Sequence, residues 1–262
     1  MNAMLEVGVA GIGVWSPQWP TWDVAQAVLR GTAAIAAEPA SRPAPTLLPP
    51  TERRRAPEAV LIAIEAATQA CAMAQCAPRE LAHVFASAYG DLAVNDYLCA
   101  TLARAPREVS PTRFHNSVHN APAGYWAIAT GCMRSSTAVS AGDSTFGAAL
   151  LEAALAVRED AALLVVYDVA AAGPMQDVIS CRRSFAAAFV LAPGWAPGLA
   201  RLRLRTREAA MLAQDAPLLQ ANPTDNPAAR IVPLLAALAR RETATLAAGA
   251  GPQLILEMEI SF

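Results

Sequence analysis

The feature that most restricts the fold of this chain is the segment 144–157, STFGAALLEAALAV, which has the length of a helix and is apolar on all sides. A helix of this kind is predicted to be buried on every face. A short β-type stretch, Ser136–Ser140, precedes it, and two apolar runs with strand character, Ala162–Asp168 and Phe185–Leu191, follow it. A buried helix between buried strands is typical of a layered α/β fold.

The rest of the chain supplies further elements of such a fold. The additional predicted strands are Met4–Val14, His83–Ala88, Leu202–Leu204 and Gln253–Ile260. The predicted helices are Trp22–Arg30, Ala56–Ala74, Asn95–Ala103 and Gly124–Thr130, with one or two more in Ala228–Leu246. Residues 38–50 are rich in proline and are predicted to form an extended surface loop. This order of elements predicts a mostly parallel sheet with helices on both faces.

Composition restricts the function. The chain is 55% apolar and only 16% charged, and we expect the apolar excess to be accommodated in buried helices and partly in a protein–protein interface. All 20 basic residues are arginine, which excludes a Schiff-base lysine, pyridoxal phosphate chemistry and a P-loop. A formal net charge of −2 gives no reason to expect nucleic acid as a partner.

The sequence also predicts a cytoplasmic location. No apolar run reaches the roughly 18 residues of a membrane-spanning helix, and the N-terminal stretch has no basic region and is predicted to be a strand instead of a secretion signal. The five cysteines form no CxxC pair. Cys71 and Cys76 are five residues apart and are predicted to lie on different faces of a helix. We therefore expect buried, reduced thiols.

Five segments, in order along the chain, resemble the N-terminal half of the β-ketoacyl synthases, which belong to the thiolase superfamily. They are residues 52–70 (ERRRAPEAVLIAIEAATQA), 83–91 (HVFASAYGD), 110–131 (SPTRFHNSVHNAPAGYWAIATG), 139–153 (VSAGDSTFGAALLEA) and 182–193 (RRSFAAAFVLAP). Residues 115–126 are particularly similar to chain-length-factor-like proteins of aryl polyene and xanthomonadin-type pathways. The resemblance implies a single thiolase-like half at residues 1–197, with residues 198–262 as an extension packed on the same domain.

Within this resemblance, Asp143 holds the position of the family's catalytic cysteine. The nucleophile turn of an active synthase has the approximate form V-S-T-A-C-x-S-G, and the same register here reads V-S-A-G-D. Active members take two further catalytic residues from a second half, whereas all three histidines here, His83, His115 and His119, precede Asp143. The resemblance therefore implies a non-catalytic, chain-length-factor-like subunit without a cofactor.

The same resemblance implies partners. A chain-length factor pairs with an active ketoacyl synthase, and we expect a heterodimer of that kind or, alternatively, a homodimer. In family members the strand corresponding to Ser136–Ser140 and its flanking helices form the dimer interface, and we expect the same here. An acyl carrier protein is a third candidate, because its acidic surface would be attracted to Arg53–Arg55 or Arg182–Arg183.

Two roles for Asp143 stay open, and one enzymatic hypothesis competes with the non-catalytic one. A carboxylate at the head of a helix is stabilised by the helix dipole and can cap free amides, and this is the expected role; the alternative is a general base or an aid to decarboxylation. The competing hypothesis is a thioester-processing enzyme that uses Ser144, His119 and Asp143, because residues 142–144 spell the GDS of a hydrolase family. In that family the histidine follows the serine, and here none does.

His115 and His119 are four residues apart, a spacing at which two histidines on one helical face can bind a metal. Pro111 and Pro122 flank them, so the segment is predicted to be a loop in which both histidines bond to the backbone or line a cleft shared with a partner. We therefore expect no metal site.

Two further features of the sequence are candidates for function. Cys132 is a candidate for a displaced nucleophile, but no base lies near it in the sequence except the two histidines, and we expect a small core residue. Trp15, Trp19 and Trp22 lie close together near the N-terminus. They form either part of the core or an exposed binding hot spot.

Overall fold

The protein is built around one eight-stranded mixed sheet, seen in a computed structural model that describes residues 4–37, 42–194, 196, 198–208 and 226–262. The strands are β1 (Leu5–Trp15), β2 (Ala82–Ala86), β3 (Ser136–Val139), β4 (Ala162–Asp168), β5 (Phe185–Pro193), β6 (Ala200–Glu208), β7 (Ala244–Gly251) and β8 (Leu254–Ser261). Their order in the sheet is β3-β2-β4-β5-β1-β6-β8-β7.

The helices lie in the connections between these strands. They are α1 (Trp22–Leu29), α2 (Pro50–Arg55), α3 (Glu58–Ala74), α4 (Leu92–Arg104), α5 (Pro111–His115), α6 (Ala121–Thr130), α7 (Thr145–Ala156) and α8 (Val232–Arg240). The part of the proline-rich segment that the structure describes, residues 42–49, has no regular structure, and residues 38–41 of it lie outside the described residues. In the described part of the chain, no helix combines the length and the hydropathy that a membrane span needs.

The α/β class and the helices on both faces are confirmed, but the predicted mostly parallel sheet is wrong. Parallel pairing joins β2 to β3 and β2 to β4, whereas the other five pairings are antiparallel. The reason is clearest between β4 and β5. Their connection contains only the short 3₁₀ turn Gly173–Asp177 and lacks the helix that usually carries a chain across to a parallel neighbour.

On one face of the sheet, α3 packs directly on the backbone of β1. A Cβ atom placed on Gly11 would lie 2.2 Å from the Ala70 carbonyl oxygen, and one on Gly13 would lie 1.9 Å from that of Ala66. Only glycine permits so close an approach of two backbones. This contact fixes the alanine-rich side of α3 against the centre of the sheet.

The opposite face is covered by α7 and α8. Phe146 and Leu150 of α7 and Leu235 of α8 are buried in one core cluster on this face. The prediction that α7 is buried on every side is wrong, because Leu155 is exposed on the side turned away from the sheet. A helix packed on one sheet face keeps an outer side.

The C-terminal strands continue the same sheet. β6 pairs with β1, so residues 198–208 and 226–262 join the sheet of the synthase-like part without a break. Helix α8 ends at Arg240, and the next residue, Arg241, has a left-handed φ of 56°. β7 then begins at Ala244, where helix was predicted. A bulge interrupts the pairing of β7 with β8 between Gly249 and Gly251.

The three N-terminal tryptophans belong to the core. Trp15 and Trp22 are buried, and Trp19 packs edge-on against Phe185 with ring centroids 6.4 Å apart. Helix α1 begins at Trp22 as predicted, and the preceding residue, Thr21, caps it by accepting a hydrogen bond from the Val24 N–H on its hydroxyl. The alternative of an exposed hot spot is therefore wrong.

Candidate functional site

The carboxyl ends of β2, β3 and β4 meet at one edge of the sheet, because these three strands are parallel. In open α/β sheets ligands bind outside the carboxyl ends of parallel strands. Ser87 follows β2, the turn containing Asp143 follows β3, and Asp168 ends β4. This edge is therefore the candidate site.

Asp143 lies in the 3₁₀ turn Gly142–Ser144 that leads into α7. Its side chain is 74% exposed, and its Oδ1 lies 3.1 Å from Nη2 of Arg230. Ser144 holds the N-cap position of α7, and among the described residues the Asp143 carboxylate accepts no hydrogen bond from a backbone N–H, so its expected capping role is wrong. The arginine holds the carboxylate instead.

Thr145 stabilises the turn. Its hydroxyl donates to the Gly142 carbonyl at 2.6 Å and accepts from the Ala141 N–H at 3.0 Å. Gly142 has a φ of 54°, a conformation that favours glycine. Asp143 is thus presented to solvent by a turn that is held by its neighbours.

The structure does not bring Ser144, His119 and Asp143 into hydrogen-bond contact with one another. A Cβ placed on Gly249 would lie 2.8 Å from Oγ of Ser144, so the serine hydroxyl faces β7. Nε2 of His119 lies 2.9 Å from the Ser87 carbonyl oxygen. A nucleophile within hydrogen-bond reach of its base is the mark of a hydrolytic triad, and the described contacts of these three residues lead elsewhere.

A buried polar network lies beneath the site, centred on the fully buried Asp168. Its carboxylate accepts hydrogen bonds from the Ser87 hydroxyl at 2.6 Å and from the N–H groups of Ala88 and Tyr89 at 3.3 and 3.1 Å. Burial raises the pKa of Asp168 to about 6, and these hydrogen bonds oppose the rise. His119 joins the network through the Ser87 carbonyl.

Sequence reasoning selected His119 but missed Asp168 and Ser87. The available signal was the single acidic residue that ends the apolar run of β4, because an isolated carboxylate at the end of a buried strand requires hydrogen-bond donors. Nothing in the sequence indicated that the donors come from the residues after β2.

His115 and His119 face different surroundings. His115 is exposed at the end of α5. His119 is half-buried and bonds to the backbone, which is the first of the two alternatives expected for these histidines. In the parts of the chain that the structure describes, no group of three or more His, Cys, Asp or Glu side chains could hold a metal ion.

Cys132 lies at the far end of β2 from the candidate site. Its Sγ is buried, 3.4 Å from the Leu81 carbonyl oxygen and 3.7 Å from Nδ1 of His83. Burial lowers the pKa of His83. The expectation of a small core residue is confirmed.

A second candidate surface, which we term the β3 surface, consists of β3, α6 and the turn between them. β3 is an edge strand, and the side chains of Ile128 and Met133 beside it are 85% and 95% exposed. Next to them is an open groove of about 780 Å³. Its apolar lining includes Leu47, Leu48, Val118, Tyr125 and Ile128. Exposed apolar area of this kind is typical of surfaces that bind other molecules, so the β3 surface is a candidate binding surface.

Beside this apolar groove is a second, basic one of about 540 Å³, which we term the arginine groove. Its charged lining consists of Arg42, Arg54, Arg55, Arg113, Glu58 and Asp91. None of these four arginines is in an ion pair with a carboxylate of the described residues. The groove therefore presents positive charge to solvent.

Most of the chain matches a known protein family. Residues 19–251 match the family described as beta-ketoacyl synthase, N-terminal domain. The chain belongs to this family. The match confirms the resemblance seen in the sequence and extends it through β6 and β7, ending before β8.

Solved structures of ketosynthase complexes share the fold of this beta-ketoacyl synthase family member. A ketosynthase (ApeO) in complex with its chain length factor (ApeC) from Xenorhabdus doucetiae has a TM-score of 0.73 and 21% identity, covering 97% of this chain and 99% of that chain. The ishigamide ketosynthase/chain length factor has a TM-score of 0.75 and 15% identity, with coverages of 98% and 99%.

The third structure is AntDE:AntF, a type II polyketide synthase acyl-carrier protein in complex with its ketosynthase bound to the hexaketide. It has a TM-score of 0.75 and 12% identity, with coverages of 100% and 99%. In all three complexes this chain spans nearly the whole of the chain that it matches. Among curated proteins, none matches this chain.

Proposed function

We propose that this protein is a non-catalytic, chain-length-factor-like subunit that pairs with an active ketoacyl synthase in fatty-acyl or polyene assembly. The proposal is carried by Asp143, which the sequence resemblance aligns with the family's nucleophile and which is exposed and paired with Arg230 in the structure. A carboxylate is a poor acyl acceptor, because the mixed anhydride it would form is far less stable than a thioester.

The β3 surface is the proposed contact with the synthase. The backbone groups of an edge strand that face away from the sheet can pair with a strand of another chain. Ile128 and Met133 add apolar area next to that edge. The complexes that share this fold contain a ketosynthase partner, which supports the choice of occupant.

The arginine groove is the proposed contact for an acyl carrier protein. Four guanidinium groups without an ion-paired carboxylate in the described residues complement an acidic protein surface, and such complementarity steers association and fixes register. The fold is shared with a complex that includes an acyl-carrier protein.

Purification of the tagged protein from its native extract, with mass spectrometry of the co-purifying proteins, tests the proposal. We expect a ketoacyl synthase. Co-expression of the two should give a heterodimer by size-exclusion chromatography with light scattering, and the isolated chain should be a homodimer or aggregate. The proposal would be overturned if the chain were a monomer that does not bind the synthase, or if it carried a thioester-linked acyl group.

The thioester-processing alternative is tested on the same material. Hydrolysis of an acyl-carrier thioester by the isolated chain should stay at background, and His119→Ala and Ser144→Ala should leave that background unchanged. A rate that falls in both variants would favour the enzyme over the subunit.

A further inference from the structure

The C-terminus of α3 brings two cysteines together. Gln75 has a left-handed φ of 52°, and its N–H donates to the Ala72 carbonyl at 3.2 Å, while the Cys76 N–H donates to the Cys71 carbonyl at 3.3 Å. This pattern is a Schellman motif, in which the side chains at the positions of Cys71 and Cys76 contact each other. The expectation that they lie on different faces of one helix is wrong, because the helix ends between them.

The two thiols differ in exposure and in pKa, so that one can react before the other. Cys71 is buried, whereas Cys76 is partly exposed. The hydrogen bond from the Cys71 thiol lowers the pKa of Cys76 to about 7, and the same interaction, with burial, raises the pKa of Cys71. The accessible sulfur is thus the one with thiolate character at neutral pH, and the thiolate is the nucleophile in disulfide exchange.

We propose that Cys71 and Cys76 form a reversible disulfide across the end of α3, with a low-molecular-weight disulfide such as oxidised glutathione as the oxidant. The Cys76 thiolate attacks one sulfur of oxidised glutathione and releases one glutathione thiolate. The Cys71 thiol then gives its proton to solvent and attacks the Cys76 sulfur of the mixed disulfide, releasing the second glutathione. The two cysteines lose two electrons and two protons, and one glutathione disulfide is reduced to two thiols.

The bridge would act on the last turn of α3, which is also the turn that contacts β1. A Cβ on Gly11 would lie 2.9 Å from Ala74 Cβ, and Sδ of Met73 accepts a hydrogen bond from the Ile12 N–H at 3.3 Å. Oxidation therefore links the turn that is packed on β1 to the connection that leads toward β2. The ring it closes is short, so the constraint on the unfolded chain is small and thiols can reopen it.

The test uses the full-length chain with Cys99→Ser, which removes an exposed thiol. The protein is incubated with oxidised glutathione, unreacted thiols are alkylated, and intact mass and peptide mapping follow. We expect a loss of two hydrogen atoms, no bound glutathione, and a linked peptide pair containing residues 71 and 76, all reversed by a thiol reductant. A stable glutathione adduct on Cys76, or no reaction, would overturn the proposal.

Two variants separate the steps. Cys71→Ala should keep one glutathione on Cys76, because the resolving thiol is absent. Cys76→Ser should leave Cys71 unmodified, because the accessible thiol that reacts first is absent. The control is Cys132→Ser, which removes a buried thiol elsewhere in the chain and should form the bridge as the parent does. Hydrogen exchange of the oxidised parent measures the structural effect of the bridge without a mutation. The Gln75 and Cys76 amides should exchange more slowly than in the reduced protein. If a linked peptide forms but exchange is unchanged, the bridge has formed in unfolded molecules, which would contradict the proposal.

Discussion

Arg230 and Asp143 form an ion pair, with Nη2 and Oδ1 3.1 Å apart, that ties the turn before α7 to the turn before α8. Arg230 is largely buried while Asp143 is exposed. The carboxylate that the sequence resemblance aligns with the family's nucleophile is therefore a surface group held by a residue of the C-terminal part of the chain. This arrangement makes Asp143 removable without disturbing the core.

Asp143→Ala is expected to leave product formation by the complex with the synthase unchanged within about twofold, because the residue is proposed to have no chemical role. Its effect on the free energy of unfolding should be about 1–2 kcal/mol, because the exposed carboxylate contributes little itself but its loss deprives the largely buried Arg230 guanidinium of that partner. Product analysis and urea denaturation measure the two quantities. Asp160→Ala, which breaks the exposed pair of Asp160 with Arg134 at 3.6 Å, is the matched control, and a loss of product confined to Asp143→Ala would contradict the proposal.

Ala138→Pro is expected to abolish pairing with the synthase while the isolated chain stays folded. The His83 N–H donates to the Ser135 carbonyl and the Ser87 N–H to that of Val139, so by alternation the Ala138 backbone faces the open edge. Proline removes that outward N–H and is tolerated on an edge strand. Light scattering of the co-expressed pair measures the effect, and Ala138→Ser, which keeps the N–H, should pair normally. A proline variant that still pairs would show that β3 is not the contact.

Ile128→Asp should weaken binding of the synthase at least about tenfold, or about 1.4 kcal/mol. A charge buried in an apolar interface without a partner is costly, whereas the exposed position tolerates it in the isolated chain. Titration calorimetry gives the affinity and thermal unfolding the stability. Leu102→Asp, at an exposed apolar position of α4, should bind as the parent does; equal losses in both variants would argue against the β3 surface.

The pH dependence of stability should reveal Asp168. Its pKa rises from 3.8 to about 6 on folding, so between these values the folded chain holds a proton that the unfolded chain has lost. The free energy of unfolding should fall by about 3 kcal/mol as the pH rises through this window. Asp168→Asn does not titrate and should lack this fall.

Urea denaturation of parent and variant at closely spaced pH values measures the difference, in which the other carboxylates cancel. Asp160→Asn replaces an exposed aspartate and should follow the parent curve. Parallel curves for the parent and Asp168→Asn would show that burial does not raise this pKa.

Gly13→Ala should lower the free energy of unfolding by at least about 2 kcal/mol, because the new methyl group displaces α3 from β1. Gly124→Ala is the matched control: no atom lies within 4 Å of the added Cβ, and alanine should stabilise α6 by about 0.5–1 kcal/mol. Urea denaturation compares them. Similar effects of the two substitutions would contradict the close contact of α3 with β1.

The positions of most helices and strands followed from the sequence, but their pairing did not. β2, β4 and α3 are apolar runs with clear ends, so local pattern suffices. The direction of β5 depends on how residues 169–184 fold back, and no local pattern encodes that. β7 was not predicted, because its alanines and glycines give no strand pattern in the sequence. These small residues let α7 pack closely on the strand: a Cβ on Gly147 would lie 2.2 Å from the Gly249 carbonyl oxygen.

The candidate site was predictable where a single residue carried the signal. Asp143 could be singled out from the sequence, because the family that the chain resembles has a cysteine in that register. Its ion pair with Arg230 could not be predicted, because Arg230 lies far along the chain. The contact of Cys71 with Cys76 was missed for a related reason. Spacing rules assume a continuous helix, and the left-handed Gln75 changes which side chains meet.

The bulge at Gly249–Gly251 makes the two borders of the sheet unequal. Bulges twist an edge strand and discourage a further strand from joining it, whereas β3 at the other border has no such interruption in its pairing with β2. Growth of the sheet by strand addition is therefore one-directional. An assembly that meets through β3 would therefore leave the bulged strand β7 of this chain as its free edge.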